Sequence, residues 1–270
     1  MKIFAVKDEA GICKTPLMWL IYSPAGKMFF IELPDEVDPL NIPMPLDSLY
    51  KRGIRTVGSE ESMQWVRLRI VPPDRQNIAQ ILADLKLQAY DEFKLLEYTK
   101  GRCSHDDYYI AHTSESKLPA NLRKRLAKRV RDIMPMDDCR LAVFFQNGET
   151  KVCDLHWILA KPEFRSIARG SVFSALSVLH DGYGIGWGTG ETEILYGDLY
   201  SSGISIPLSY EDVVGFIRDR ILDTAGAAKL LACSPQNVNA LRKRGKLNPI
   251  VEKDKYSLYL RSDIEQIRPS

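Results

Sequence analysis

Near the C-terminal end, two short apolar patterns at helical spacing are separated by a break. Thr224 is placed to cap a first helix, and the Ala- and Leu-rich run after it favours that conformation until about Ala232-Cys233. Ser234 then predicts a second N-cap, with Pro235 at the first helical position, where its fixed φ fits and its missing N–H is no loss. In this second helix Val238 and Leu241 share one face and are expected to pack on Ala228 and Leu231. The same geometry turns Gln236, Asn239, Ala240 and Lys243 outward, with Asn237 at the flank. Gly245 predicts a left-handed end to the helix. Val251 to Leu260 reads as two short strands around a charged turn, and Ser262-Asp263 as the cap of a terminal helix.

Upstream the periodicity alternates between strand and helix. Trp19 to Leu33 predicts a hairpin around Pro24-Ala25-Gly26-Lys27, followed by a proline-bearing loop with prolines at 34, 39, 43 and 45. Trp65 to Val71 reads as a strand with one polar face. Asp74 is expected to cap a helix with Ile78, Ile81, Leu82 and Leu85 on its apolar stripe. Asp91 to Tyr98 predicts another helix, and Tyr108-Tyr109-Ile110 a closing strand. Leu122, Leu126, Val130 and Ile133 recur at three- or four-residue spacing and predict one amphipathic helix from Pro119 to Ile133. Beyond it, two β-rich runs flank Asn147-Gly148, a signal for a two-residue hairpin turn. Helical turns are expected over Leu155 to Leu159 and Pro162 to Ala168. Strands are expected over Val172 to Leu179, Gly184 to Trp187 and Glu193 to Leu195, before Asp198-Leu199-Tyr200 closes the region. The fold class that follows is α+β and multidomain: an N-terminal α+β domain (1–118), a basic linker helix (119–135), a second α+β domain (136–208) and a winged helix-turn-helix (209–270).

Composition narrows the class. The chain has 270 residues, 45% hydrophobic and 27% charged, which is ordinary globular protein rather than disordered or fibrous. With neither an apolar run near the ~20 residues that cross a bilayer nor a signal-like start, no membrane partner and a cytoplasmic location are expected. Five scattered cysteines form no Cys-x-x-Cys pair, so neither a disulfide framework nor a zinc knuckle is expected. Cys103, His105 and His112 make a poor tetrahedral set, and neither metal nor cofactor is predicted.

Charge is distributed unevenly. Residues 233–262 hold Arg242, Lys243, Arg244, Lys246, Lys253, Lys255 and Arg261 against Glu252 and Asp254, a local +5 in a chain whose total is +2. Such an excess suits a phosphate backbone, although cations at a helix C-terminus also suit the helix dipole. A second basic segment runs from Lys117 to Arg131; a solvated face is the favoured reading there over a second DNA contact.

Two groups of residues invite catalytic readings and lack the context for them. The glycines at 182, 184, 186, 188 and 190 alternate along a predicted strand rather than opening a helix, as a dinucleotide loop requires. Asp154, His156, His180, Asp181, Glu191 and Glu193 have no spacing that specifies a nucleophile or a paired acid. The expectation is a protein that is not an enzyme.

The tail, from the alanines at 227 and 228 through Ser234, Arg244-Gly245-Lys246-Leu247 and Ser262-Asp263-Ile264, resembles the small winged helix-turn-helix of phage excisionases and mercury-resistance regulators over residues 222–267. It departs from that pattern at Pro235, where a basic residue is usual, and at Ala240, where a longer side chain would reach DNA. Residues 136–206 resemble the bacterial family catalogued as domain of unknown function 2442. The resemblance rests on the strand–Asn-Gly–strand unit ending in Asp154-Leu155, on Phe164, on Gly184-Ile185-Gly186-Trp187 and on Leu199-Tyr200 with Gly203. Some members of that family are fused to a helix-turn-helix. Together these imply a bacterial DNA-binding transcription regulator, or an antitoxin-like protein, that binds double-stranded DNA as a homodimer, with a protein partner or sensing role left to residues ahead of the tail. The expected DNA contacts are Gln236, Asn237 and Asn239 to bases, Arg242, Lys243 and Arg244 to the backbone, and Lys253 and Lys255 from the wing. The alternatives are an adaptor that uses the same helices to dock protein, and an enzyme with a regulatory tail.

Overall fold

The computed structural model describes residues 1–9, 11, 13, 15–164, 173, 175–188 and 192–267. The fold is mixed α+β, in two compact units, Met1–Ile206 and Pro207–Ser270. Among the described residues no helix is long and apolar enough to cross a membrane.

Unit 1 is built around an antiparallel sheet ordered β4-β3-β2-β1-β5. Its strands are β1 (Lys2–Asp8), β2 (Met18–Ser23), β3 (Met28–Glu32), β4 (Thr56–Val57) and β5 (Tyr108–Thr113). Every residue of β2 is buried, because both faces of the sheet are covered. Phe4, Val6, Leu20, Phe29 and Ile31 face a core shared with α1 (Asp47–Lys51), α2 (Ser59–Arg67) and α4 (Glu92–Thr99); the intervening α3 (Ile78–Asp84) buries no residue.

Alternate positions Ile3, Ala5, Trp19, Ile21 and Phe30 face a second core, completed by α5 (Ala120–Leu126) and by residues from 130 to 199. That half contains a four-stranded sheet ordered β12-β8-β7-β6, with β6 (Val130–Pro135), β7 (Arg140–Phe145), β8 (Thr150–Asp154) and β12 (Ile204–Ile206). A three-stranded sheet ordered β11-β10-β9 follows, with β9 (Ser177–Val178), β10 (Gly184–Trp187) and β11 (Thr192–Leu195). Among the described residues, the short helices α6 (His156–Leu159) and α7 (Tyr196–Ser202) also belong to it. The Phe30 and Tyr183 rings stack at 4.0 Å across the shared core. Segments 1–118, 119–135 and 136–206 therefore lie within one unit, because one face of the first sheet has its cover in the later half of the sequence.

Several local expectations change as well. The stretch from Trp65 to Val71 is not a strand: Ser62, Trp65 and Val66 form the buried face of α2, and the helix gives way after Arg67. The basic helix ends at Leu126, and Val130 and Ile133 belong to β6, which gives β7 its second neighbour. Asp74 does not cap α3, whose N-cap is Asn77. The turn between β7 and β8 is longer than two residues, with the Gly148 N–H donating to the Phe145 carbonyl at 3.0 Å and Gly148 at φ +87°. The strand expected from Val172 narrows to Ser177–Val178; residues 165–172, 174 and 189–191, which include Glu191 and Gly190, lie outside the described residues.

Unit 2 opens with α8 (Tyr210–Arg220), whose capping box pairs Ser209 with Asp212. It continues through β13 (Ile221–Asp223), α9 (Thr224–Leu230), α10 (Pro235–Lys243), β14 (Val251–Lys253), β15 (Tyr256–Leu260) and α11 (Arg261–Gln266). The sheet order is β13-β15-β14. Ala227, Ala228, Leu231, Val238, Leu247, Tyr259 and Ile264 form its core.

Candidate nucleic-acid interface

The two helices α9 and α10 owe their ends to short-range bonds. Asp223, not Thr224, caps α9, its Oδ1 accepting from the Gly226 N–H at 2.7 Å. The helix stops when Ala232 adopts φ +51°, which lets the Cys233 N–H donate to the Ala228 carbonyl at 3.0 Å. Ser234 Oγ then accepts from the Asn237 N–H at 3.3 Å, with Pro235 starting α10. Gly245 ends it at φ +68°, and the Lys246 N–H donates to the Leu241 carbonyl at 3.0 Å. Val238 is buried and Leu241 partly so, against the α9 alanines and Leu231. No side chain caps α11, although Ser262 and Asp263 sit in its first turn.

That packing sorts the expected contacts into groups. Gln236 and Asn237 at the start of α10 and Lys243 and Arg244 at its end are exposed, as are Lys246, Lys253 and Lys255. Asn239 and Ala240 are half-buried, so the middle of the helix presents little that could reach a base edge. Among the described residues, Lys243, Arg244, Lys246 and Lys255 take part in no ion pair, whereas the Lys253 ammonium lies 5.9 Å from the Tyr256 ring.

Arg242 is placed differently from its neighbours. Its guanidinium pairs with Glu252 of β14 and donates to Ser257 Oγ of β15 at 3.2 Å, leaving the side chain only 26% exposed. It ties the C-terminal end of α10 to the hairpin. Lys243 and Arg244 follow Arg242 and Lys253 follows Glu252 in sequence, so the bridge fixes where these cations stand. Sequence reasoning assigned Arg242 to the exposed set because the helix dipole and charge count treat all three consecutive cations alike.

Among the described residues, the acids and bases of unit 1 form no single centre. His156 Nδ1 lies 2.7 Å from Asp154, which raises the His156 pKa, and both side chains are exposed. Glu193 instead accepts from Ser59, from the N–H at 2.7 Å and the Oγ at 2.9 Å, and burial raises its pKa with help from Glu61 and Glu60. Cys153 is buried, which pushes its thiol up to about 11 and keeps it protonated at neutral pH. The glycines at 184 and 186 lie along β10, where Gly184 permits the Ile194 backbone to pass: a Cβ there would meet the Ile194 carbonyl oxygen at 2.1 Å.

Among the described residues, the most buried charge of unit 1 gave little sign of itself in the sequence. Glu32, at the end of an apolar strand, is 0% exposed and accepts from Arg125 Nε at 3.0 Å, Tyr196 OH at 3.0 Å and Thr56 Oγ1 at 3.1 Å. Arg125 also pairs with Asp35 and donates to the Leu33 carbonyl at 2.6 Å. Both Glu32 oxygens are satisfied, so the group joins β3, β4, α5 and α7 rather than presenting a reactive acid.

Comparison with protein families, with curated proteins and with solved structures finds no match to this chain.

Proposed function

We propose that unit 2 binds double-stranded DNA and that the protein is a transcription regulator, with unit 1 serving to sense or to bind a partner. The observation that carries this reading is the row of exposed cations Lys243, Arg244 and Lys246 at the end of α10, which take part in no ion pair among the described residues, beside a hairpin that carries Lys253 and Lys255 and is held in place by Arg242. Phosphates supply the counter-charge that such a row lacks. Gln236 and Asn237, exposed at the N-terminal end of α10, are placed for base edges, and amide side chains suit the paired donor and acceptor of adenine. With Ala240 offering no reach, base readout per copy is small, and affinity rests mainly on the backbone.

The test is binding to a pool of genomic DNA fragments at several salt concentrations by the full chain, by Lys243→Ala/Arg244→Ala and by Arg242→Ala. Each phosphate contact contributes a slope of about −0.9 to the dependence of log affinity on log salt, so the double variant should be shallower by about 2. Arg242→Ala should weaken binding with less change in slope, through a loosened hairpin. Absence of binding by the folded wild type at about 50 mM salt, or an unchanged slope in the double variant, overturns the proposal and favours a protein-docking role for the same helices.

A further inference from the structure

The helix α8 is amphipathic, yet it buries none of its residues. At 100° per residue, Tyr210, Val213, Val214 and Ile217 share one face, with Phe216 at one edge and Glu211 and Arg218 at the other, while Asp212, Gly215 and Asp219 turn away. Val214 is 42% exposed, Phe216 55% and Ile217 51%, the densest run of exposed large apolar side chains in the described sequence. Solvent-facing helices are usually polar on that side, so a stripe of this kind implies a cover.

We propose that the cover is α8 of a second copy of this chain, packed antiparallel about a two-fold axis near residues 214 and 215. The charges of the helix choose this partner and this direction. Its first turn carries Glu211 and Asp212 and its last turn Arg218 and Arg220. An antiparallel pair sets each acidic end against a basic end, with Glu211 of one copy beside Arg218 of the other on the same flank, and opposes the helix dipoles favourably. A parallel pair would set acid against acid. The existing bond of Arg218 to its neighbour Asp219, at 2.9 Å, is exposed and weak enough to be shared. The capping box at Ser209 fixes the start of α8 before any partner arrives, so little ordering cost remains for pairing.

The seam is short. Eleven residues span about 16 Å, and one face of that length lies below the roughly 800 Å² per partner of a standard interface, so a dissociation constant on the order of 10 µM is expected. Because pairing is a property of the chain alone, its failure is distinguishable from failure of the DNA-binding reading.

Sedimentation equilibrium of the full chain without DNA, from 1 to 200 µM, tests it. The expected result is a shift from the 30.7 kDa chain to twice that mass. Ile217→Glu should weaken the dimer at least tenfold while leaving the circular dichroism unchanged, since the side chain is half exposed already. Arg218→Glu should weaken it several-fold, and Glu211→Arg added to Arg218→Glu should restore part of the loss, because the exchanged charges meet again across the axis. A wild type that stays monomeric throughout the range, a dimer indifferent to Ile217→Glu, or a charge exchange that fails to recover association overturns the proposal.

Discussion

Replacing Arg125 with methionine keeps most of the side chain's length and removes the one cation among the described residues that faces Glu32. The carboxylate is fully buried, and burial raises its pKa, with Arg125 the largest opposing influence, ahead of the Tyr196 and Thr56 hydrogen bonds. Once Arg125 is gone, Glu32 can remain charged, at a cost of about 3–5 kcal/mol for breaking a buried pair. It can instead take up a proton. From an ordinary value of 4.5 to pH 7, protonation costs about 1.36 kcal/mol per unit, or about 3.4 kcal/mol. The cheaper route sets an upper limit of about 3 kcal/mol on the loss at pH 7, since the wild-type carboxyl already carries part of the burial cost, and at pH 5 that limit falls to about 0.7 kcal/mol. The sign follows from the direction of the shift: the folded state holds this proton more tightly than the unfolded chain, so stability is lost as pH rises through the folded pKa. Urea denaturation followed by tryptophan fluorescence is the assay, since Trp19, Trp65, Trp157 and Trp187 all lie in unit 1. Adding Glu32→Gln to Arg125→Met should recover at least half of the loss at pH 7. A loss under about 1 kcal/mol at pH 7, or one of equal size at pH 5, would refute the buried-pair reasoning.

Two further outcomes can be read in the same assay. Gly184→Ala should destabilise unit 1 by about 1–3 kcal/mol, because the added methyl meets the Ile194 backbone, whereas Gly197→Ala in α7, with nothing within 4 Å, should stabilise it by about 0.5–1 kcal/mol; equal effects at the two sites would contradict the close approach. Glu193, whose pKa burial raises, should give the wild type a stability gain over Glu193→Gln as pH falls from 7 through the raised value towards 4.5, so a difference in urea midpoint that stays flat or reverses would remove that carboxylate from its assigned surroundings.

Two elements depart from their sequence pattern because of what they pack against. Leu122, Leu126, Val130 and Ile133 fit helical spacing, and the first two are indeed buried from α5. Val130 and Ile133 are drawn into β6, in register with Phe145 and Val143 of β7, across a bulge at Val130 and Asp132. Nothing within the segment distinguishes a helix that continues from one that stops, because the deciding bonds belong to β7. The stretch around Trp65 fails in the opposite sense: seven residues alternate well enough for a strand, while the three-and-four spacing of Ser62, Trp65 and Val66 is satisfied by a helix against β3. The exposed stripe of α8 carries its own signals in the sequence, a capping box and four aliphatic or aromatic residues in five.

For the candidate interface, the sequence alone determined the ends of α10, its buried Val238 and the hairpin that follows. Caps, left-handed glycines and turns are decided by backbone bonds among residues three to five apart, so their chemistry is complete within the segment. Only the tertiary structure decided which cations are free. Arg242 looks like Lys243 in the sequence and Arg125 like Lys124, yet Arg242 finds Glu252 ten residues away and Arg125 finds Glu32 ninety-three residues away. A charge is assigned to the inside or the outside by whichever opposite charge folding brings within about 4 Å, and that distance is a property of the packed chain rather than of its order.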